Sequence, residues 1–153
     1  MHRNPDSRTE EQARAAWLAY RRLHERVDAE IARDLERECG LSMPDYDVLA
    51  ALTELESPDA CIRVRGLAAH LSWAHSRLSR QLGRMEQRRL IAREPCERDG
   101  RGDDVLLTTS GRETLETAAP TYNSSVRDRF TARLTPHQLA ALIEIERAIA
   151  KGQ

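Results

Sequence analysis

The sequence has few aromatic residues and almost no lysine. Six of its 153 residues are aromatic, only one of them Phe, and Arg provides 23 of the 24 basic side chains. With 40% apolar residues the chain can build a core, but an aliphatic one. The planar five-donor fork of Arg suits phosphates and guanine edges, so this bias is compatible with nucleic-acid binding. It is equally compatible with the codon bias of a GC-rich genome.

Long apolar runs are also missing. No run approaches the roughly 20 residues that a membrane-spanning helix needs. The polar N-terminus contains no apolar signal-peptide segment. Cys39, Cys61 and Cys96 are odd in number and widely spaced, which argues against a disulfide scaffold. We therefore expect a cytoplasmic protein with no membrane partner.

Signatures of catalysis and of metal binding are not found in the sequence. It has no Gly-rich phosphate loop, no nucleophile elbow and no carboxylate pair that differs from ordinary helix surface charge. The five histidines show neither paired helical spacing nor a CxxC companion. We expect no enzymatic activity, no cofactor and no metal site.

The net charge of −1 conceals a strong asymmetry along the chain. Residues 1–60 carry eight basic and fourteen acidic side chains, net −6, whereas residues 61–101 carry ten and four, net +6. Residues 102–153 are close to neutral, with net −1. One basic segment in a nearly neutral protein is typical of DNA binding by a single face.

Helical periodicity dominates the first third of the chain. Thr9 can cap a helix whose apolar positions recur until Gly40, which the pattern predicts as the C′ glycine. A helix over residues 9–40 is too long for a domain this small to bury, so a partner chain is its natural cover. Ser42 and Pro44 then begin a second helix. A short strand over residues 61–64 is a further expectation.

The middle of the chain predicts a helix-turn-helix followed by a strand-loop-strand. The first motif helix covers Arg65 to Leu71, and Ser72 can cap a second helix from about Trp73 to Arg88. Ala74, Leu78, Leu82 and Met85 form the apolar stripe of that second helix. Two strands, Leu90–Arg93 and Val105–Leu107, then bracket a charged loop over Pro95–Asp104.

Two helices complete the chain. Thr108 can cap one that Pro120 should kink or interrupt, and Thr135-Pro136-His137-Gln138 is a capping box that begins the last. The fold class we predict is mainly α (α+β), a winged helix-turn-helix with N- and C-terminal dimerisation helices. These helices cover residues 9–40 and 109–150 of a single domain, 1–153, and the DNA-binding region covers 42–108.

The exposed side of the 73–88 helix carries the residue types that read a major groove, short polar side chains and Arg. The candidate contacts on and just before this helix are Ser72, His75, Ser76, Arg77, Ser79, Arg80 and Arg84. Arg84 and Arg88, further from the helix start, suit phosphate contact or simple exposure. An ordinary solvated face is the alternative. Trp73 can either pack beneath the helix or stack on the DNA backbone.

The loop between the two strands supplies the second set of candidate DNA contacts. Arg101 at its tip could enter the narrow minor groove, where negative potential attracts a guanidinium. Asp99 could hold Arg101 or the loop in shape through an ion pair, and Arg98 is a further candidate. The alternative is a flexible surface loop with no partner.

The ordered set of these motifs resembles the MarR family of bacterial transcriptional regulators, over about residues 10–150. The matching pieces are Leu67-Ala68, Ser76-Arg77-Leu78-Ser79-Arg80, Leu90-Ile91, Asp99-Gly100-Arg101, Leu107-Thr108-Thr109-Ser110-Gly111 and residues 134–139. Arg89 departs from the family, which often has Gly before the wing strand.

The resemblance implies a homodimer that binds double-stranded DNA at an inverted-repeat operator, as a repressor released by a small aromatic or phenolic ligand. By analogy with the family, the ligand pocket would be lined by Tyr20, Arg21, His24, Met43, Tyr46 and Asp47, although the same residues could fill the core or an interface. Thiol-based control is an alternative. Its best candidate is Cys96, beside Arg93 and Arg98, because nearby positive charge favours a thiolate. A winged-helix module that binds protein instead of DNA is another alternative.

Overall fold

The computed structural model describes residues 5–98 and 102–152, which are mostly helical with one two-stranded antiparallel sheet. This confirms the predicted mainly α winged-helix class. The strands pair from Ile91 with Leu107 to Pro95 with Asp103. The elements in chain order are α1 (Pro5–Cys39), α2 (Met43–Leu55), α3 (Val64–Leu71), α4 (His75–Gln87), β1 (Ile91–Pro95), β2 (Asp103–Leu107), α5 (Thr109–Arg129), the 3-10 helix Thr131–Arg133 and α6 (Pro136–Ala150).

The chain divides into two compact units, 1–34 with 124–153 and 35–123. In the first unit, α1 and α5 are joined by a polar cluster around the buried Asp34. Ser125 Oγ donates to Asp34 Oδ2 over 2.6 Å, and Arg129 donates to both carboxylate oxygens, over 3.1 and 3.2 Å. A bidentate Arg–carboxylate pair fixes orientation as well as distance, so this cluster determines how these helices meet.

The core of the second unit is aliphatic, as the scarcity of aromatic residues predicts. It takes side chains from α1 to α4 and from both strands. Its largest fully buried apolar side chains are Leu35, Val48, Leu49, Leu52, Leu67, Leu78, Leu82, Met85, Ile91 and Val105. The apolar stripe of α4 therefore faces the same core as α2 and the sheet, and the opposite face of α4 is left outside it.

Several predicted helix ends are confirmed. Gly40 has a φ of +61° directly after α1, the left-handed conformation that favours glycine. Ser42 Oγ accepts from the amide of Asp45 over 3.2 Å at the start of α2. Thr135 and Gln138 form the reciprocal capping box of α6. Each end is closed locally, which is why short sequence patterns identified it.

Two other expectations were wrong, and one of two alternatives at Pro120 was wrong as well. Helix α1 begins at Pro5 rather than after Thr9, because Pro lacks an N–H that would in any case have no partner in the first turn. Residues 61–64 form no strand: Ile62 bonds to β2, but α3 already begins at Val64. Helix α5 runs through Pro120, so the interruption that was one of the two expected effects of this proline does not occur.

Ser72 also differs from its predicted role as a helix cap. It has a φ of +54° and closes α3, with its amide bonded to Ala69 O and that of Trp73 bonded to Ala68 O. This pair of bonds makes the tight turn of the helix-turn-helix. Ala74, which was expected in the buried stripe, is the exposed residue that precedes α4. The second motif helix therefore begins at His75, two residues later than predicted.

Within the part of the chain that the structure describes, no helix has the length and apolar character needed to cross a membrane.

Candidate nucleic-acid interface

Helix α4 has two faces of opposite character. Leu78, Leu82 and Met85 are fully buried on one side. On the other side lie the predicted DNA contacts: His75, Ser76, Arg77, Arg80 and Arg84 are exposed and Ser79 is half-buried. Ser72, in the turn before the helix, is exposed as well. The structure thus brings these seven candidates together along the exposed side of one turn and one helix.

Trp73 and Arg77 interact at the N-terminal end of this face. The Arg77 guanidinium carbon lies 3.9 Å from the centroid of the Trp73 ring, and Trp73 is half-buried. A cation over an indole face is stabilised electrostatically and loses rotamer freedom. Trp73 therefore neither lies wholly beneath the helix nor extends freely from it. It supports the side chain of Arg77, one of the predicted DNA contacts.

A buried polar network fixes α4 against α2, and sequence reasoning missed it. Asp45 and Gln81 are 1% and 4% exposed, and Gln81 Nε2 donates to Asp45 Oδ1 over 2.6 Å. Arg88 Nη2 lies 2.6 Å from Asp45 Oδ2, an ion-pair contact that does not have the geometry of a hydrogen bond. Arg84 Nη2 donates to Gln81 Oε1 over 2.5 Å. Arg88 is thus turned toward the protein, and Arg84 is partly engaged by it.

The junction between α4 and β1 depends on a left-handed residue. Arg89 has a φ of +59°, its amide bonds to Glu86 O, and the amide of Leu90 bonds to Met85 O. This is the pairing of a Schellman motif, which favours glycine at the position of Arg89. Arg89, where the resembled family often has Gly, therefore keeps the turn geometry. A residue with a side chain nevertheless pays an energetic cost in the left-handed conformation.

The end of the sheet is tied to the same junction. Thr108 Oγ1 donates to Arg89 O over 2.7 Å, and it also accepts from the amide of Gly111 over 2.9 Å at the start of α5. A Cβ built on Gly111 would lie 2.0 Å from Leu90 O. The Leu-Thr-Thr-Ser-Gly segment therefore has a physical basis: one hydroxyl bridges two elements, and glycine permits the close backbone approach.

The wing comprises β1, β2 and the loop between them, and its base is ordered by backbone pairing and by Gly102. Cys96 N donates to Gly102 O over 3.2 Å, and Gly102 has a φ of +70°. Arg98, one of the predicted contacts, is exposed. Asp99 and Arg101, the other two, lie outside the described residues. Their proposed roles at the wing tip therefore rest on the sequence.

The cysteines contradict the sequence-based expectation. Cys61 and Cys96 form a disulfide with a Cα–Cα distance of 6.1 Å, and Cys39 is free. In the alternative of thiol-based control, Cys96 was the candidate for a thiolate, because it lies beside Arg93 and Arg98 in sequence. It is instead disulfide-bonded and 3% exposed. An odd count indicates that one cysteine is left over, but it does not exclude a bridge between two that the fold brings together.

The six predicted ligand-lining residues lie on two helices. In the first unit, Tyr20 and His24 on α1 stack with centroids 6.2 Å apart, and Arg21 forms an ion pair with Glu25. In the second unit, Met43 and Asp47 on α2 are half-buried and Tyr46 is buried. Tyr122, which the sequence did not identify, stacks on Tyr46 with centroids 4.1 Å apart. Burial, and then the Tyr122 and Asp47 charges, raise the pKa of Tyr46 above its ordinary value of 10.0.

Metal ligands do not cluster in residues 5–98 and 102–152, where no group of three or more His, Cys, Asp or Glu side chains could hold an ion.

Comparisons with known proteins identify relatives along nearly the whole chain. A profile described as the MarR family matches residues 39–102. AbsC, a MarR family transcriptional regulator from Streptomyces coelicolor, has a similar structure with a TM-score of 0.80 at 36% identity, covering 92% of this chain and 95% of AbsC. Sco3205, a regulator of the same family and organism whose structure is a complex with DNA, has a TM-score of 0.80 at 34% identity, covering 91% and 89%.

A more distant structure shares the fold. It is BpsR from Bordetella bronchiseptica, whose DNA binding is regulated by 6-hydroxynicotinic acid, with a TM-score of 0.74 at 20% identity, covering 89% of this chain and 98% of BpsR. A search of curated proteins found no match.

Proposed function

This chain belongs to the MarR family of transcriptional regulators, and from that premise we propose that it is a homodimeric repressor. It binds an inverted-repeat operator in double-stranded DNA and is released by a small aromatic or phenolic ligand. The observation that carries DNA recognition is the exposed face of α4, which presents Arg77, Arg80 and short polar side chains opposite a fully buried stripe. The structure of the relative Sco3205 in complex with DNA supports the same use of the fold.

The test of DNA recognition is a fluorescence-anisotropy titration with the DNA upstream of the protein's own gene. Arg77→Ala should weaken operator binding by about 1–3 kcal/mol, the usual contribution of one base contact, with a smaller effect on unrelated DNA. Arg127→Ala is the matched control, since Arg127 is an exposed arginine of α5 that forms an ion pair with Asp128. Equal losses in the two variants would refute a specific role for α4.

The wing has its own test, derived from the sequence. Arg101→Ala should lower affinity and reduce the slope of log affinity against log salt by about one, because one positive charge no longer lies against the DNA. An unchanged slope would remove Arg101 from the interface.

Homodimer formation is supported by exposed apolar side chains in the first unit. Seven large apolar side chains are exposed there, and Trp17, Tyr20 and Ile149 reach 59%, 59% and 66% exposure. The seven are Trp17, Leu18, Tyr20, Leu23, Ile143, Ile145 and Ile149. Exposed apolar side chains in such number indicate a surface that another protein covers. A second copy of the chain fits the family, whose regulators bind two half-sites one helical turn apart.

Sedimentation analysis tests the dimer. The wild type should sediment as a dimer, and Ile145→Glu should shift it to monomer because two charges would be buried across a symmetric interface. Glu146→Gln, at the neighbouring position, should leave the dimer unchanged. A monomeric wild type at micromolar concentration would refute the assembly.

The ligand proposal rests on the family resemblance and on the aromatic residues of α1 and α2. A panel of hydroxylated aromatic acids, including the 6-hydroxynicotinic acid that regulates BpsR, is titrated into the preformed protein–operator complex. Release of DNA by one member, and its loss in Tyr46→Ala with folding retained, would support a site on α2. A panel with no effect on either DNA affinity or melting temperature would contradict this ligand class.

A further inference from the structure

Trp73 lies in the turn between α3 and α4, outside the aliphatic core of the second unit. Its ring is half-buried, whereas Leu67 and Ala68 before it and Leu78 after it are buried. An indole is a very large apolar side chain, and it stabilises a fold most when a core encloses it. The position of Trp73 therefore points to a role other than filling the core.

The backbone holds Trp73 in one place. Its amide donates to Ala68 O over 2.9 Å, and Ser72 before it is left-handed, with a φ of +54°. Ala74 after it is extended, and the Ala74 carbonyl accepts from the amide of Leu78 over 3.1 Å. Because bonds on both sides fix the ring relative to α4, a side chain that packs on the ring is fixed relative to α4 as well.

The side chain that packs on this ring is Arg77. Its guanidinium carbon lies 3.9 Å from the ring centroid. Arg77 is the third residue of α4, in the part of a recognition helix that contacts base edges. An indole has no hydrogen-bond acceptor. The ring can therefore orient the guanidinium and leave its N–H donors available to another partner.

Other arginines of this region are held differently. Arg84 donates to Gln81, and Arg88 forms an ion pair with Asp45, so polar groups of the protein occupy part of their donor capacity. Arg77 is oriented by an aromatic face instead. Among these three arginines, Arg77 combines a fixed position with free donors.

The stability of α4 does not explain the placement of Arg77. The first turn of α4 contains no acidic residue, and Ala74 at the N-cap forms no side-chain capping bond. The helix macrodipole opposes a positive charge at this end of a helix. Arg77 thus lies where a cation is unfavourable for the helix itself, which indicates that its contact is with a partner outside the helix.

We propose that Trp73 is a positioning residue for DNA recognition: it holds the Arg77 guanidinium in the orientation that contacts a base edge, and so raises specificity for the operator. This rests on the proposed DNA-binding function. Without the ring, the long Arg77 side chain loses its rotamer freedom only when DNA binds, which weakens binding. With the ring, part of that freedom is already lost in the free protein. Binding to unrelated DNA depends on phosphate charge and much less on the orientation of one guanidinium.

The experiment uses the full-length protein and fluorescence anisotropy with the operator duplex and an unrelated duplex of equal length. Trp73→Leu keeps an apolar side chain but removes the aromatic face. Operator affinity should fall about fivefold, within the range set by immobilising one long side chain, and affinity for unrelated DNA by less than about twofold. The salt slope should not change, because the number of charges is the same. Trp73→Phe restores an aromatic face and should recover most of the operator affinity.

A double-mutant cycle tests whether Trp73 acts through Arg77. Trp73→Leu combined with Arg77→Ala should bind the operator as Arg77→Ala alone does, because the ring has no guanidinium left to position. Arg80→Ala is the matched control, since Arg80 is an exposed arginine three residues further along α4. Its loss should add to that of Trp73→Leu. Losses that add at Arg77 as they do at Arg80 would overturn the proposal.

A spectroscopic measurement keeps Trp73 in place, so it remains decisive even if Trp73→Leu does not fold. In Trp17→Phe, Trp73 is the single tryptophan of the chain. Adding Arg77→Ala should increase the quenching of its emission by acrylamide, because the guanidinium no longer covers the ring, whereas Arg80→Ala should not.

Three results would overturn the positioning role. They are unchanged quenching in Arg77→Ala, equal operator affinities of Trp73→Leu and the wild type, and equal losses of Trp73→Leu on both duplexes. If the wild type itself binds the operator no better than unrelated DNA, the proposed function fails instead.

Discussion

Replacing Arg89 by glycine should stabilise the protein. Arg89 is exposed and has a φ of +59° at the left-handed position between α4 and β1. This conformation costs an L-residue about 1–2 kcal/mol. Glycine escapes that cost but loses about 0.5–1 kcal/mol through its greater freedom in the unfolded chain. The difference predicts a gain of about 1 kcal/mol in the free energy of unfolding, since the backbone bonds of the turn do not involve the Arg89 side chain.

Urea unfolding followed by circular dichroism measures this gain, and the melting temperature should rise by about 2–4 °C for a chain of this size. Gln87→Gly is the matched control, because Gln87 is an exposed residue with helical geometry at the end of α4. There the same glycine should cost up to about 1 kcal/mol. A loss of stability in Arg89→Gly comparable to that in Gln87→Gly would refute the claim that the turn is strained.

Four further substitutions, at Gly111, Asp45 and Tyr46, test the packing of the second unit. Gly111→Ala should lower the free energy of unfolding, measured in urea, by about 3 kcal/mol, because the new Cβ would lie 2.0 Å from Leu90 O. The loss is expected even though Ala has the better helix propensity. Wild-type stability in this variant would contradict the close approach. Asp45→Ala should lower the free energy of unfolding by about 2–3 kcal/mol, because the buried Gln81 amide loses its acceptor. Asp45→Asn keeps an acceptor and should lower it less. Equal losses in the two variants would assign the effect to the ion pair with Arg88. Because the pKa of Tyr46 is raised in the folded protein, its contribution to the free energy of unfolding is fully present below pH 10.0 and is lost as the pH rises above that value. Tyr46→Phe should therefore flatten the dependence of the unfolding free energy on pH in this range. An unchanged slope in the variant would show that Tyr46 does not cause the pH dependence.

Features that depend on neighbours in sequence could be predicted. The capping box at Thr135, the left-handed Gly40 and the buried stripe of Leu78, Leu82 and Met85 are as expected, since each is set within a few residues. The role of Ser72 was predicted wrongly, because a serine before a helix suggests an N-cap. In the structure Ser72 ends α3 instead, in the left-handed conformation.

Features that depend on residues far apart in sequence were missed. The Asp45–Gln81 bond joins positions 36 apart, and the Cys61–Cys96 bond joins positions 35 apart. No periodicity in the sequence marks either pair. Asp45 looked like one more acidic residue in the first turn of a helix, and Cys96 looked like a lone thiol beside two arginines. Only packing decides that each is buried against a particular partner.

The sequence by itself determined the order of helices and strands, the basic segment 61–101 and the family to which the chain is similar, because apolar periodicity, capping patterns and charge are properties of short stretches. It therefore also predicted that the second helix of the helix-turn-helix contacts DNA. The tertiary structure decided which polar groups on and around α4 form contacts within the protein. Arg88 turns inward to Asp45, Arg77 lies over Trp73, and Cys96 is bonded to Cys61. Burial makes a polar group take a partner, and which partner is within reach is settled only when the elements pack.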